Sequence, residues 1–372
     1  MIPILMYGKS IRINRWLLPL SWLYGFATGV RNRLFDWGIL PSEEFDIPVI
    51  SVGNLAVGGT GKTPHIEYLI ELLQPKYRVA VLSRGYKRKS RGFVLADANS
   101  TARDIGDEPY QIKRKFPDIA VAVDANRRRG IKQLKELLPD LDVILLDDAF
   151  QHRYVSPLIS IVLTDYNRAL HLDKLLPAGR LRESRHELSR ADIVIVTKCP
   201  ADMKSIEFNI ISRWLHLFPY QHLYFTTLDY GNLQAVFPQP GTPREIDLST
   251  LSKKSGVMLL TGIANPRPMQ QYLARYLTAQ EELRYPDHHN FSDSDLHQIA
   301  NRLASLHGEE NYIITTEKDA ARLRSAALDE PVKRALYYLP IRVRFMQHNG
   351  TSFDTKITDT IYKNRRIKRP RR

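Results

Sequence analysis

The stretch Ile47 to Leu73, IPVISVGNLAVGGTGKTPHIEYLIELL, constrains this chain more than any other part of it. An apolar, β-branched run from Ile47 to Val52 leads into a glycine-rich stretch and then into an apolar pattern of helical period. Strand, loop and helix in that order predict a parallel sheet, because a helix returning over a strand can reach the next strand only in the same sense. In Gly58-Gly59-Thr60-Gly61-Lys62-Thr63 the glycines let backbone N–H groups close around phosphate oxygens. Lys62 can then reach the β and γ phosphates and Thr63 can place its hydroxyl on magnesium. Ala56, Val57, Gly58, Gly59, Thr60, Gly61, Lys62 and Thr63 are therefore the candidate nucleotide-binding residues, with ATP and Mg2+ as the implied ligands. Ala56 stands where the usual pattern has glycine.

The same alternation continues downstream. Val79 to Leu82, Ala120 to Val123, Val143 to Leu146, Ile159 to Leu163 and Ile193 to Val196 read as buried parallel strands separated by helical patterns. The fold class expected is α/β, a P-loop NTPase-like parallel sheet flanked by helices, with a second, smaller α/β domain. The pattern breaks after Leu217, Pro238, Pro240 and Pro243 lie close together, and a new α/β unit begins at Gly256 to Leu260. The expected organisation is an interface segment over 1–45, a P-loop kinase domain over 46–220, a β linker over 221–255, a second α/β domain over 256–360 and a basic tail over 361–372.

The strand pattern Asp142 to Leu146 ends in Asp147-Asp148, and carboxylates at a strand tip beside a phosphate loop are placed to hold magnesium. Thr197-Lys198-Cys199-Pro200 is like the guanine-reading motif of GTPases, but Pro200 occupies the position of its aspartate, so guanine selectivity is not supported. Gly106-Asp107-Glu108-Pro109 sets two acids in a loop, and Asp287-His288-His289 sets an acid and two imidazoles in the second domain. A kinase acting on an alcohol benefits from a group that accepts the hydroxyl proton. Asp107 paired with His288 across an interdomain cleft would supply one, with Lys62 as the third candidate catalytic residue.

Charge bears on the partners. The chain carries 54 Lys+Arg against 40 Asp+Glu, a net +14. Residues 1–35 hold five basic residues and no acid, and Lys363 to Arg372 hold seven; without these twelve the body has 42 against 40, a net of +2. A basic stripe across the body, as a nucleic-acid groove would require, is thus missing. Basic ends suit an anionic membrane surface, and the tail can equally be read as a solubilising end. Trp16 to Val30 is uncharged for fifteen residues, shorter than the roughly 20 a spanning helix needs. Three of the four tryptophans fall within the first 37 residues, which predicts an interfacial helix. A signal peptide and a helix docked on the protein's own core are the competing readings. The single cysteine, Cys199, points to a reducing compartment.

Taken together, several motifs closely resemble one family. They are Gly53-Asn54-Leu55, the loop ending Gly61-Lys62-Thr63-Pro64, Ser83-Arg84-Gly85-Tyr86, Gly106-Asp107-Glu108-Pro109 and Asp147-Asp148-Ala149-Phe150-Gln151-His152. Further along come Pro177 to Glu183, Thr261-Gly262-Ile263-Ala264-Asn265-Pro266, Asp287-His288-His289 and Thr316-Glu317-Lys318-Asp319. In this order, from about residue 50 to 320, they resemble the tetraacyldisaccharide 4'-kinase family, in which alanine at position 56 is no anomaly. The resemblance implies ATP-dependent phosphorylation of the 4'-hydroxyl of an acylated glucosamine disaccharide 1-phosphate, giving lipid IVA in lipid A biosynthesis. It places the enzyme at the cytoplasmic face of a bacterial inner membrane, as a peripheral protein, and implies no protein partner. By motif it makes Asp107 the base and His288 its partner, with Thr63, Asp147, Asp148 and Glu183 around the metal. Glu108 is a weaker candidate, and Arg127-Arg128-Arg129 could meet a substrate phosphate. A nucleotide-driven switch and a soluble small-molecule kinase or ligase are the rival classes. The first often carries Cys or His clusters for metal insertion, and the second leaves the Trp-rich basic N-terminus without purpose.

Overall fold

A computed structural model describes residues 13–263, 265–287 and 289–368. The chain enters through helix α1 (Leu18–Asp36). It then alternates β1 (Val49–Asn54), α2 (Lys62–Leu73), β2 (Val79–Ser83), the short β3 (Val94–Leu95), α3 (Asp107–Lys115), β4 (Ala120–Val123) and α4 (Arg127–Leu137). There follow β5 (Val143–Asp147), β6 (Ile159–Asp165), β7 (Ile193–Thr197), α5 (Ser205–Leu215) and β8 (His222–Tyr230). A second set comprises β9 (Leu233–Ala235), β10 (Glu245–Ile246), β11 (Gly256–Thr261), α6 (Arg267–Leu273), β12 (Glu281–Arg284), α7 (Asp293–Ala304), β13 (Asn311–Thr316), α8 (Glu317–Leu323) and β14 (Leu336–Leu339). The chain ends in β15 (Ile341–Phe345) and α9 (Gly350–Lys368).

The first sheet has nine strands in the order β15-β8-β7-β6-β1-β5-β2-β4-β3. The strands from β8 to β4 run parallel, with antiparallel β15 and β3 at the two edges. Strands β1, β2, β5 and β7 are buried at every position, because helices cover both faces and leave no strand side facing water. Strand order reverses around β1, so the loop after β1 opens beside the carboxyl end of β5, where open α/β sheets place their ligands. The second sheet runs β10-β9-β14-β13-β11-β12, with the four strands from β14 to β12 parallel.

The partition differs from the expected one at both ends of the second unit. β8, expected to begin the linker, is the eighth strand of the first sheet. β15 and α9, expected to close the second domain, return to the first sheet, where Phe345, Phe353, Ile357 and Ile361 join the same core as Ile50, Ile66 and Ile70. The chain therefore crosses between units twice, at Tyr230–Leu233 and Leu339–Ile341. The two crossings run side by side: Tyr230 pairs with Ile341, and the Gly231 N–H donates to the Pro340 carbonyl at 3.1 Å. Proline clusters mark a change of unit but say nothing about a strand that comes back. Part of the basic tail is also folded: Arg365 pairs with Asp142 at 2.7 Å and lies over the Tyr77 ring. Lys9 and Arg12 at the start, and residues 369–372 at the end, lie outside the described residues.

Candidate active site

The phosphate-type loop is shaped by side chains at the ends of β1 and β7 and by one from α2. Asn54, buried at the end of β1, donates from Nδ2 to the Ala56 carbonyl (2.7 Å) and to Thr60 Oγ1 (2.9 Å). Gly58 and Gly61 sit at φ of 122° and 86°, a region that glycine enters without the Cβ penalty. At the end of β7, Thr197 Oγ1 donates to the Thr60 carbonyl at 2.9 Å. The Lys198 ammonium donates to the Gly59 carbonyl and to Asp165. The segment whose likeness to a guanine reader stopped at Pro200 thus braces the loop. His65 in α2 is wholly buried, and burial pulls its imidazole down to about 4, so it is neutral. Its Nδ1–H donates to the Gly61 carbonyl (2.8 Å), which leaves Nε2 to accept from the Thr226 hydroxyl (3.1 Å).

Not all the expected loop residues face the same way. Ala56 bridges to Leu181, and the Val57 N–H donates to the Arg180 carbonyl at 2.8 Å, so this end of the loop is an anchor. Gly59 to Pro64 line a cleft of about 260 Å³ between the two units. Lys62 and Thr63 open α2, where the first-turn N–H groups have no partner inside the helix and favour an anion.

Across from the loop, β5 delivers Asp147 and Asp148. Asp148 adopts φ 49°, and its carboxylate takes Arg182 Nη1 at 2.8 and 3.0 Å and Lys62 Nζ at 3.6 Å. Burial works against its charge, yet Lys62 and Arg182 outweigh burial and hold the carboxyl below its usual range. Asp147 is the opposite case. Buried completely and facing the charges of Glu108 and Asp148, it is pushed up to about 7 despite Lys62. Its Oδ2 accepts from Ser83 Oγ at 3.2 Å, while its buried Oδ1 has no hydrogen-bond partner among the described residues.

That orphaned oxygen tests the metal expectation. A buried carboxylate oxygen without a donor, repelled by two neighbouring acids, is what a hard divalent cation relieves. Among the described residues no group of three or more His, Cys, Asp or Glu gathers as a metal cage. An Asp147, Asp148 and Thr63 set still suits Mg2+, which keeps several waters and takes substrate phosphate oxygens as ligands. Glu108, on the first turn of α3, belongs with this set through its charge on Asp147.

Asp107 is the first residue of α3 and faces the second unit. Its Oδ2 accepts from Arg322 Nε (2.9 Å) and Nη2 (2.7 Å), the guanidinium coming from α8. This partner was not anticipated, although the Thr316-Glu317-Lys318-Asp319 motif six to three residues earlier pointed at the right helix. The expected partner, His288, lies outside the described residues. Its neighbour Asp287 pairs with Lys318 at 3.1 Å. The other imidazole, His289, is engaged locally, bonded through Nε2 to Asp295 at 2.9 Å and stacked on Tyr285. A further contact between the units sits about two helical turns along α3 from Asp107, where Lys115 meets Glu67 of α2 (2.6 Å) and Glu317 of α8 (3.1 Å). Burial and the charge of Glu317 push Glu67 up to about 7.

Two expected roles meet a different environment. Glu183 is buried, and its oxygens take Arg190 (2.6 Å), Asn32 (3.3 Å) and Arg31 (3.8 Å). Two of these partners come from α1, so Glu183 fastens α1 to the body, and its oxygens are already occupied by cations and an amide. The Arg127-Arg128-Arg129 run is likewise employed. Arg127 is buried against the Asp124 and Asp147 carbonyls, Arg129 forks onto Asp124, and Arg128 lies over Tyr154. Cationic charge does gather nearby: burial first, then Arg127, Arg31, Arg128 and Arg84, pull His152 down to about 4.

The two sides of helix α1 differ in burial. One side docks, with Ser21, Asn32 and Phe35 buried and the Tyr24 hydroxyl donating to the Arg182 carbonyl at 2.8 Å. The other side exposes Trp22 at 71% and Phe26 at 71%, and Trp16, in the turn just before the helix, is 93% exposed. Among the described residues, no helix is long and apolar enough to cross a membrane.

Comparison with known proteins agrees with this architecture. Residues 13–362 match the family model of the tetraacyldisaccharide-1-P 4'-kinase, LpxK. The chain is 53% identical over 363 residues to the tetraacyldisaccharide 4'-kinase of Bacteroides thetaiotaomicron, covering 96% of this chain and 95% of that one. With the Flavobacterium johnsoniae protein of the same name it is 49% identical over 352 residues, covering 95% and 98%. Among solved structures, LpxK from Aquifex aeolicus in complex with ATP superposes with a TM-score of 0.72 at 29% identity, covering 94% of this chain and 98% of that chain.

Proposed function

This chain belongs to the tetraacyldisaccharide-1-P 4'-kinase family, and from that premise we propose how its own residues carry out the transfer. The γ-phosphoryl group of ATP passes to the 4'-hydroxyl of an acylated glucosamine disaccharide 1-phosphate. The observation that carries the reading is the cleft itself: Gly59 to Pro64 and Glu108 of the first unit face Asp287, Thr316 and Lys318 of the second, with Asp148 3.6 Å from Lys62 and Asp107, next to Glu108, reaching Arg322 of the second unit.

The loop N–H groups and the start of α2 cradle the phosphates. Lys62 leaves Asp148 for the γ-phosphate and follows its charge as the bond to the leaving oxygen stretches. Thr63, Asp147 and Asp148 would hold Mg2+, which when bound neutralises charge on the transferring phosphates. Asp107 accepts the hydroxyl proton as the new O–P bond forms and ADP departs with the bonding pair. In a loose transition state little nucleophile bonding has developed, so placing the hydroxyl matters more than the strength of the base. Arg84, one of the cations whose charge is felt at His152, offers charge for the substrate's own phosphate.

The lipid reaches this cleft at a membrane surface. Trp22 and Phe26 of α1, with Trp16 in the turn just before it, would sit among headgroups, while Glu183, Arg190 and Tyr24 tie the same helix to the segment that pairs with the loop at Arg180 and Leu181. This supports a peripheral attachment at the cytoplasmic face, where ATP is available.

The test is transfer of label from γ-labelled ATP to the disaccharide 1-phosphate in detergent micelles. Label in the lipid is expected. ATP hydrolysis that proceeds equally without lipid, with none transferred, would refute the reading and favour a nucleotide-driven switch.

A further inference from the structure

We propose that Arg322 is a positioning residue for Asp107, supplied by the second unit so that the proton acceptor is set only while the two units are together. The proposal deepens the function above and rests on Asp107 being the acceptor.

Both Nε and Nη2 of Arg322 address the same oxygen, Oδ2 of Asp107, at 2.9 and 2.7 Å. A planar fork closed on one oxygen with two charge-assisted bonds fixes where that carboxylate oxygen lies. The guanidinium is itself held from behind. Its Nη1 donates to Asp319 Oδ1 at 3.0 Å and points at the Gly262 carbonyl at 3.5 Å. Asp319 is fully buried, and its Oδ2 accepts from the Gly262 N–H (2.8 Å) and the Thr316 hydroxyl (2.7 Å). The Arg322 side chain is only 5% exposed, whereas that of Asp107 is 22% exposed and so open to a substrate. The order of support runs from the Gly262 turn through Asp319 to Arg322 and ends on Asp107.

The ends of this chain of contacts belong to different sheets. Asp107 rides on α3 of the first unit and Arg322 on α8 of the second, while the chain itself crosses between them only along the paired strands at Gly231 and Pro340. Separating the units would withdraw the guanidinium and with it this hold on the Asp107 carboxylate. Lys115 with Glu67 and Glu317 closes the same helix pair further along and does not reach Asp107. Among the described residues, charged groups near this point include Asp319, which pairs with Arg322 on α8, and Glu108, next to Asp107 on α3; the Lys318–Asp287 pair lies on the same cleft wall as Glu317.

The experiment compares Arg322→Met, Arg322→Lys, Asp319→Asn and Asp107→Asn in the full chain, reading kcat, ATP KM, pH–rate profile and unfolding midpoint. For Arg322→Met, kcat should fall on the order of 10²-fold, the loss associated with a misplaced reacting group. ATP KM should stay within about twofold, since the loop and α2 are untouched. The acid limb of the profile should move to higher pH, because a cation that favours the ionised carboxylate is gone. Arg322→Lys should return the acid limb toward its place while recovering kcat only in part, and Asp319→Asn should lose less than Arg322→Met. If Asp107→Asn keeps normal turnover, the acceptor reading fails. If Asp107→Asn is inactive while Arg322→Met matches the parent in kcat and profile, the positioning role fails and the acceptor stands. A purely architectural arginine would instead lower the midpoint, raise ATP KM and leave the profile in place, which also overturns the proposal. Should Arg322→Met not fold, the lysine and Asp319→Asn variants decide by the same criteria.

Discussion

Gly53→Ala tests whether the phosphate loop and the acidic strand tip are locked to one another. A Cβ on Gly53 would lie 2.6 Å from Phe150 Cβ and 2.8 Å from the Phe150 backbone nitrogen. Non-bonded carbons rest at about 3.5–4.0 Å, so β1 and the turn that follows Asp147-Asp148 must part by about 1 Å. Phe150 cannot rotate away from a backbone clash, and Gly53 itself sits in the middle of the sheet, paired with Val162. The stability cost expected is that of overpacking a dense core, about 1–3 kcal/mol. The cost to turnover should be larger in proportion, on the order of 10²-fold, because the displaced turn carries the carboxylates opposite Lys62. Urea unfolding and steady-state turnover are measured beside Gly29→Ala, whose Cβ would meet nothing within 4 Å in the middle of α1. That control should gain about 0.5–1 kcal/mol from the lower entropy of its unfolded chain. Gly53→Ala with parental stability and parental turnover would refute the reasoning.

Four further outcomes are expected. Lys62→Ala should abolish phosphoryl transfer with an unchanged unfolding midpoint, and near-normal turnover at saturating ATP would sink the loop assignment. Phe353→Ala should cost about 3–5 kcal/mol in urea unfolding, as large aromatic truncations in cores do; its ring packs against Phe345 (4.5 Å), Tyr224 (5.3 Å) and Tyr68 (5.9 Å). A negligible loss would mean that α9 is not part of the first core. Because Glu67 is raised from 4.5 to about 7 in the folded protein, the native state binds the extra proton, so this group's effect is loss of stability as pH rises from about 4.5 through 7. Glu67→Gln should flatten the decline in midpoint between pH 5 and 8, and parallel curves for the two proteins would contradict it. Trp16→Ser with Trp22→Ser should weaken binding to anionic vesicles and make the remainder more salt-sensitive, since surface charges are screened over about 8 Å at physiological salt; unchanged vesicle binding would remove α1 from the membrane surface.

Local order along the chain settled a good deal. The run from Ile47 to Leu73 already contains a strand, a loop and a helix, because the Val/Ile alternation, the glycines and the helical period each act over a few residues. The positions of Lys62, Thr63, Asp147 and Asp148 follow from it, since a strand tip has a fixed place relative to the loop of its neighbour in a parallel sheet. The second crossing could not be read in this way. Ile341 to Phe345 is an unremarkable alternating run, and only pairing with β8, more than a hundred residues earlier, decides that it belongs to the first sheet. The same holds for Glu183 and Arg322. A carboxylate near a nucleotide motif suggests metal, yet Arg190, Asn32 and Arg31 reach Glu183 because α1 folds across it. An arginine three residues beyond Asp319 suggests a surface helix, yet the packing of α8 on α3 buries it against Asp107. Motifs record chemistry that each segment can do by itself, whereas the partner of a charge is chosen by long-range packing, which brings together residues whose separation along the chain carries no signal.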